Sequence, residues 1–170
     1  TMTGLLGADV YVAGLMQGAS SGLTNMLPAI IFLVACFLAF ASGTSWGTFG
    51  ILIPIVTGVF TDPATGAIVP GAEHLIIIGV SACLAGAVMG DHCSPISDTT
   101  IMASAGAQCN HINHVSTQVP YVLTVAAISF VTYIVAGFVQ NVVICLAIGI
   151  LLTLGTLFVL KRIYGQKPAA

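Results

Sequence analysis

The sequence predicts an all-α integral membrane fold, a set of polytopic helices interrupted by polar breaks. Three observations carry that expectation. Of 170 residues, 58% are hydrophobic and 5% charged, with mean hydropathy +1.10, whereas soluble domains carry roughly 25% charged residues. The apolar residues gather into runs on the scale of a hydrocarbon core of about 30 Å. Two hydroxyl-rich strings, residues 42–48 and 90–100, cut those runs, and the second holds Asp91 and Asp98.

Taken in order, residues 1–26 form a Gly-rich leading segment with Asp9 among the apolar residues and a Gly14-Leu-Met-Gln-Gly18 spacing that suits close helix approach. Residues 27–60 are two short apolar arms around the polar string 42–48, with Pro54 in the second arm. Counted this way each arm spans roughly 18–22 Å, too little for a crossing, so the segment is either one long broken crossing or a re-entrant hairpin with its tip at residues 42–47. Residues 61–74 form a loop, punctuated by Asp62-Pro63, Thr65-Gly66 and Pro70-Gly71. Residues 75–108 are a transmembrane helix made discontinuous by Pro95 and its polar neighbours. Residues 109–118 read as a polar cytoplasmic loop, 119–139 and 142–160 as two full crossings, and 161–170 as a cytoplasmic tail. Lys161, Arg162 and Lys167, all the basic residues of the chain, place that tail inside by the positive-inside rule. Residues 109–118 then lie inside, and residues 61–74 and 140–141 outside.

The chemistry concentrates at the breaks. A charge at membrane depth costs several kcal/mol and usually faces an ion or substrate pathway. Freed backbone survives there only inside protein or beside a water-filled cavity. Asp91 and Asp98 are therefore candidate cation or proton sites, and no basic residue lies near them in sequence. Ser94, Ser97 and Thr99 add hydroxyls to the second break, as Ser42, Thr44 and Ser45 do to the first. Asp98, just before Thr99-Thr100 and an apolar arm, also suits a helix N-cap. His92 beside Asp91 is a candidate modulator. If the two tips meet, they form an oxygen cage with one or two negative charges. Two carboxylates held close cannot both ionise freely, which would link proton uptake to cation release.

Other functions find less support. No basic patch with interleaved aromatics points to nucleic acid. Cys36, Cys83, Cys93, Cys109 and Cys145 lack CxxC spacing and read as small packing residues. His111 and His114 read as part of a polar loop rather than a metal site, and Glu73-His74 as a membrane edge. An intramembrane hydrolase built on Asp91 and Asp98 with His92 and Ser94 is a distant alternative that no motif supports, so no enzyme is expected. No signal peptide is expected at Thr1, and so few helices make poor walls for alternating access, which suggests one part of a longer polypeptide.

The strings Ser42-Gly43-Thr44-Ser45-Trp46-Gly47-Thr48-Phe49-Gly50 with Pro54, Gly90-Asp91-His92-Cys93-Ser94-Pro95-Ile96-Ser97-Asp98-Thr99-Thr100, and Cys109-Asn110-His111-Ile112-Asn113-His114-Val115 with Thr117-Gln118-Val119-Pro120-Tyr121 resemble the NhaC-type sodium/proton antiporter family. The resemblance implies a C-terminal portion of a longer transporter, half of an ion-transporter-like fold in a bacterial inner membrane. It favours the re-entrant hairpin for residues 27–60. It implies sodium and protons as transported species, with no cofactor and no metal beyond sodium. It names the lipid bilayer, the rest of the polypeptide and a second copy in a homodimer as partners. Coupled exchange of an organic carboxylate or amino acid is the alternative it leaves open.

Overall fold

The computed structural model describes residues 21–62 and 65–164, together with Gly7 and Tyr11. The expectations for Asp9, for the Gly14–Gly18 spacing and for the tail past Tyr164 lie outside the described residues. Through residues 21–164 the chain forms α1 Ser21–Ser42, α2 Ser45–Val59, α3 Glu73–Cys93, α4 Asp98–Gly106, α5 His111–Val139 and α6 Val142–Tyr164. Between α2 and α3 a single bridge, Thr61 to Ile68, closes the loop. The protein is an all-α membrane protein. Among the described residues four helices, α1, α3, α5 and α6, are long and apolar enough to cross a bilayer.

Two boundaries differ from the sequence reading. The first arm of residues 27–60 begins at Ser21 and runs 22 residues, about 33 Å at 1.5 Å per residue, so it is not too short to cross. Hydropathy stops counting at Thr24 and Asn25, but the helix does not. Only the second arm, the 15 residues of α2, keeps its expected shortness at about 22 Å. Likewise most of 109–118 is not loop. Asn110 caps α5 by accepting the Asn113 amide at 3.1 Å, and the polar residues from His111 onward form its first turns. The break in the third segment is where the sequence puts it, between Cys93 and Asp98.

Glycines report how the helices lie. Gly79 on α3 faces Val56, Phe60 and Ile31, positions nearly equidistant from the turn at Gly43, so α1 and α2 form an antiparallel helical hairpin. A Cβ at Gly86 would strike the Phe32 carbonyl oxygen and Ala35, and one at Gly90 would strike the Cys36 carbonyl oxygen and Ala39. Both numbers rise together, so α3 runs parallel to α1 at a spacing only small residues permit. This α1–α3 contact is the most extensive among the described helices, and Ala35, Ala39, Cys83 and Ala87 of the two helices are buried in one core cluster. Next, α5 runs back: Tyr133 lies 5.4 Å from the Phe32 ring, and Gly137 abuts Asn25. The last helix returns along α5, with Gly149 against Thr132.

The hairpin tip, the α3–α4 break, the start of α5 and the end of α6 therefore share one end of the bundle. The start of α1, the 60–72 loop and the Gln140-Asn141 turn share the other.

Candidate ion site at the paired helix breaks

Four helix ends meet at the polar end of the bundle. The hairpin turns at Gly43, whose φ of +68° lies in the left-handed region that glycine tolerates best. A Cβ at Gly43 would come within 2.9 Å of the Ile96 carbonyl oxygen, so the tip presses directly on the second break. Thr44 then caps α2, its Oγ1 accepting the Gly47 amide at 3.3 Å. Across from it, Ser94 Oγ donates to the Phe40 carbonyl at 2.7 Å, tying the break to the last turns of α1.

Asp91 sits at the centre, only 2% exposed. Its Oδ1 accepts Ser97 Oγ–H at 2.7 Å, and its Oδ2 accepts Thr99 Oγ1–H at 3.0 Å and Ser45 Oγ–H at 3.4 Å. The donors come from three places: the break, the first turn of α4 and the first turn of α2. The N-terminal ends of α2 and α4 both approach the carboxylate, and helix N-termini favour negative charge. Thr100 Oγ1 donates to the Asp91 carbonyl at 3.4 Å, which fixes the last turn of α3 against α4. A buried carboxylate without partners costs several kcal/mol, and here hydroxyls rather than a cation supply the partners.

The hydrogens do not balance for an ionised Asp91. Ser97 Oγ and Thr99 Oγ1 also lie 2.7 Å from each other, so Asp91, Ser97 and Thr99 make a closed triangle of three oxygen–oxygen contacts. Two hydroxyls bring two hydrogens. A proton on the carboxyl would complete the ring, and a cation among its four oxygens would serve in its place.

The remaining candidates fall outside this cluster. Asp98 is exposed and opens α4, its Oδ1 accepting the next amide, Thr99 N, at 2.9 Å. It is not among the partners of Asp91. His92 points its Nδ1 to the Val88 carbonyl at 2.8 Å on its own helix and is exposed. Ser42 is exposed at the end of α1. Thr44 and Ser94 hold the backbone rather than Asp91. Asp91, Ser97, Thr99 and Ser45 come together.

Thr100, one of the hydroxyls expected at the second break, braces Asp91 from behind through its carbonyl. Sequence reading missed one contributor. His111, at the first position of α5, reaches the break itself: its ring lies 2.7 Å from the Pro95 carbonyl and 3.0 Å from Ser104 Oγ. It does not stand out by hydropathy, because it lies beyond the edge of an apolar run. Far from this cluster, at the other end of the bundle, a mainly aliphatic groove of about 720 Å³ runs between α3, α5 and α6, with Ser81, Tyr133 and Gln140 in its wall.

Apolar helices long enough to cross a bilayer, packed around a buried carboxylate that has no Lys or Arg partner among the described residues, suit a membrane-transport scaffold. The chain belongs to the Na+/H+ antiporter family, whose model matches residues 2–138. It is similar to an uncharacterized protein of Haemophilus influenzae, 46% identical over 77% of this chain and 23% of the relative. It is also similar to the arginine/ornithine antiporter ArcD of Halobacterium salinarum, 33% identical over 68% of this chain and 23% of that protein. A third relative is the malate-2H(+)/Na(+)-lactate antiporter of Bacillus subtilis, 30% identical over 71% of this chain and 25% of that protein. The chain thus spans about a quarter of the length of the curated relatives it matches. No solved structure matches it.

Proposed function

We propose that the polypeptide carrying this chain is a secondary antiporter that exchanges sodium for protons, with Asp91 as the group they compete for. The observation that carries the reading is the oxygen triangle of Asp91, Ser97 and Thr99, which lacks one hydrogen when the carboxyl is ionised. A proton and a small hard cation are alternative ways to satisfy the same oxygens. Occupancy by one therefore excludes the other, and exclusive occupancy is what exchange requires. Carbonyls at the ends of α1 and α3 can add ligands, as unwound backbone and helix C-terminal ends do in other transporters. Lys161 and Arg162 at the end of α6, read with the positive-inside rule, support a site toward the cytoplasmic side of a cell membrane.

A second reading is coupled exchange of an organic carboxylate or amino acid. It draws on the names of two relatives, an arginine/ornithine and a malate/lactate antiporter. The one arginine of this chain, Arg162, lies at the end of α6, so bidentate carboxylate recognition would have to come from elsewhere in the polypeptide.

The full-length protein in everted vesicles tests both. Adding sodium should dissipate a preset proton gradient, and Asp91→Asn should abolish the response with protein still in the membrane. Wild-type exchange by that variant would remove Asp91 from the mechanism. A response to arginine or malate but not to sodium alone would favour the second reading.

A further inference from the structure

The Cys109-Asn110-His111 string has no part in the ion site as read from hydropathy, yet its histidine touches the break that shapes the site. We infer that His111 is a positioning residue for the Asp91 site, a clamp that holds the Pro95 carbonyl and thereby sets where Ser97 stands. The inference rests on the reading of Asp91 as the exchange group.

The geometry runs as follows. The Pro95 carbonyl can only accept, so the imidazole presents Nε2–H to it at 2.7 Å, while Nδ1 lies 3.0 Å from Ser104 Oγ, whose hydroxyl also donates to the Ile101 carbonyl at 2.9 Å. Ser104 is 3% exposed and sits on α4, while Pro95 sits in the break and His111 on α5. One ring thus joins three elements. Pro95 lies two residues before Ser97, whose hydroxyl makes both 2.7 Å contacts of the triangle, one to Asp91 and one to Thr99. The break has other anchors, Ser94 on the Phe40 carbonyl and Ile96 against Gly43, but both tie it to the hairpin. Only His111, among the hydrogen bonds described here, ties it to α5. Because Pro95 cannot donate, its carbonyl is what the chain offers for gripping this turn. Removing the grip frees the Ser97 end of the break while the Ser94 end stays pinned.

Amide isosteres separate the two halves of the clamp. In the full-length protein, His111→Gln places an amide N–H near the Nε2 position and keeps the Pro95 bond. His111→Asn reaches only as far as Nδ1 and loses it. Sodium-driven proton flux should show half-saturation at about fivefold higher sodium for His111→Ala and His111→Asn, the size set by one lost hydrogen bond. Maximal rate should stay near wild type, and His111→Gln should restore the wild-type half-saturation. A purely structural histidine would lower the amount of folded protein and leave half-saturation unmoved. Equal half-saturation for the Gln and Asn variants overturns the clamp, and that comparison decides even if His111→Ala does not reach the membrane. Asp91→Asn in the same vesicles keeps the two claims apart. Loss of flux there with wild-type behaviour of both His111 isosteres sinks the clamp alone. Undiminished flux there sinks the reading of the site on which the clamp depends.

Discussion

At the scale of single residues, the two aspartates that look alike in sequence part company. Asp91 is buried and takes three hydroxyl hydrogen bonds, while Asp98 is exposed and takes an amide of its own helix start. Their substitutions should differ in kind. Asp98→Asn should keep sodium-dependent exchange with half-saturation within about twofold, since Asp98 is the first helical residue of α4 rather than its cap, which is Ser97, and an exposed carboxylate at a helix start is worth about 0.3–1 kcal/mol and touches no ion. Ser97→Ala should raise half-saturating sodium, because it opens the triangle and removes one oxygen ligand. A titration of proton flux against sodium for both variants checks the contrast. Reversed behaviour would make Asp98 the exchange group. The sequence could show that both carboxylates interrupt an apolar run. It could not show their rotation, because the break between Cys93 and Asp98 turns the chain and erases the helical phase that would relate positions 91 and 98. The same holds for Thr44 and Ser94, whose hydroxyls are present for the expected reason but spent on backbone.

At the scale of elements, α3 is shaped by what it must lie against. Gly86 and Gly90 leave no room for a methyl group between α3 and α1, and Asp91 follows directly at the buried end. Packing and site are therefore continuous. Gly90→Val should push α1 away, costing about 1–3 kcal/mol or more as overpacking does, and should lower the thermal stability of the detergent-solubilised protein. Gly50→Ala, on an open stretch of α2 with nothing within 4 Å of the added carbon, should leave stability unchanged. A denaturation series monitored by fluorescence-detected gel filtration reads both. Equal tolerance would mean that the α1–α3 contact is looser than its glycines imply. Within residues 21–164 the two breaks, the α3 and α6 spans and the loop before α3 follow from hydropathy and Pro or Gly punctuation. Element ends were not. The start of α1 and the first turns of α5 are polar helix, and a cap such as Asn110 sets their limits rather than any apolar count.

At the scale of the whole molecule, the order of directions decides where the site faces. The parallel run of α1 and α3, with α2 antiparallel to both, sets Gly22 and the 60–72 loop at one end and the Gly43 tip, Asp91 and Cys109 at the other. Because α2 folds back along α1, the two ends of the hairpin lie at the same end of the bundle, and the expected topology has the hairpin leaving from the face it entered. A single broken crossing would instead put Gly22 and Thr65 on opposite faces. The sequence left these two arrangements open, because arm lengths alone do not say whether a chain turns or continues. The fold-back shows only when Val56 and Ile31 meet over Gly79. Thiol labelling of intact cells distinguishes them in the full-length protein. With other cysteines removed, Gly22→Cys and Thr65→Cys should both react with a membrane-impermeant maleimide from outside. Cys109, exposed at the far end, should react only after permeabilisation, in keeping with Lys161 and Arg162 at that end and the positive-inside rule. Labelling of Gly22→Cys and Thr65→Cys from opposite faces would replace the hairpin by a broken crossing. All three reacting in the reverse sense would keep the hairpin and invert the site, so that Asp91 would load from the outside.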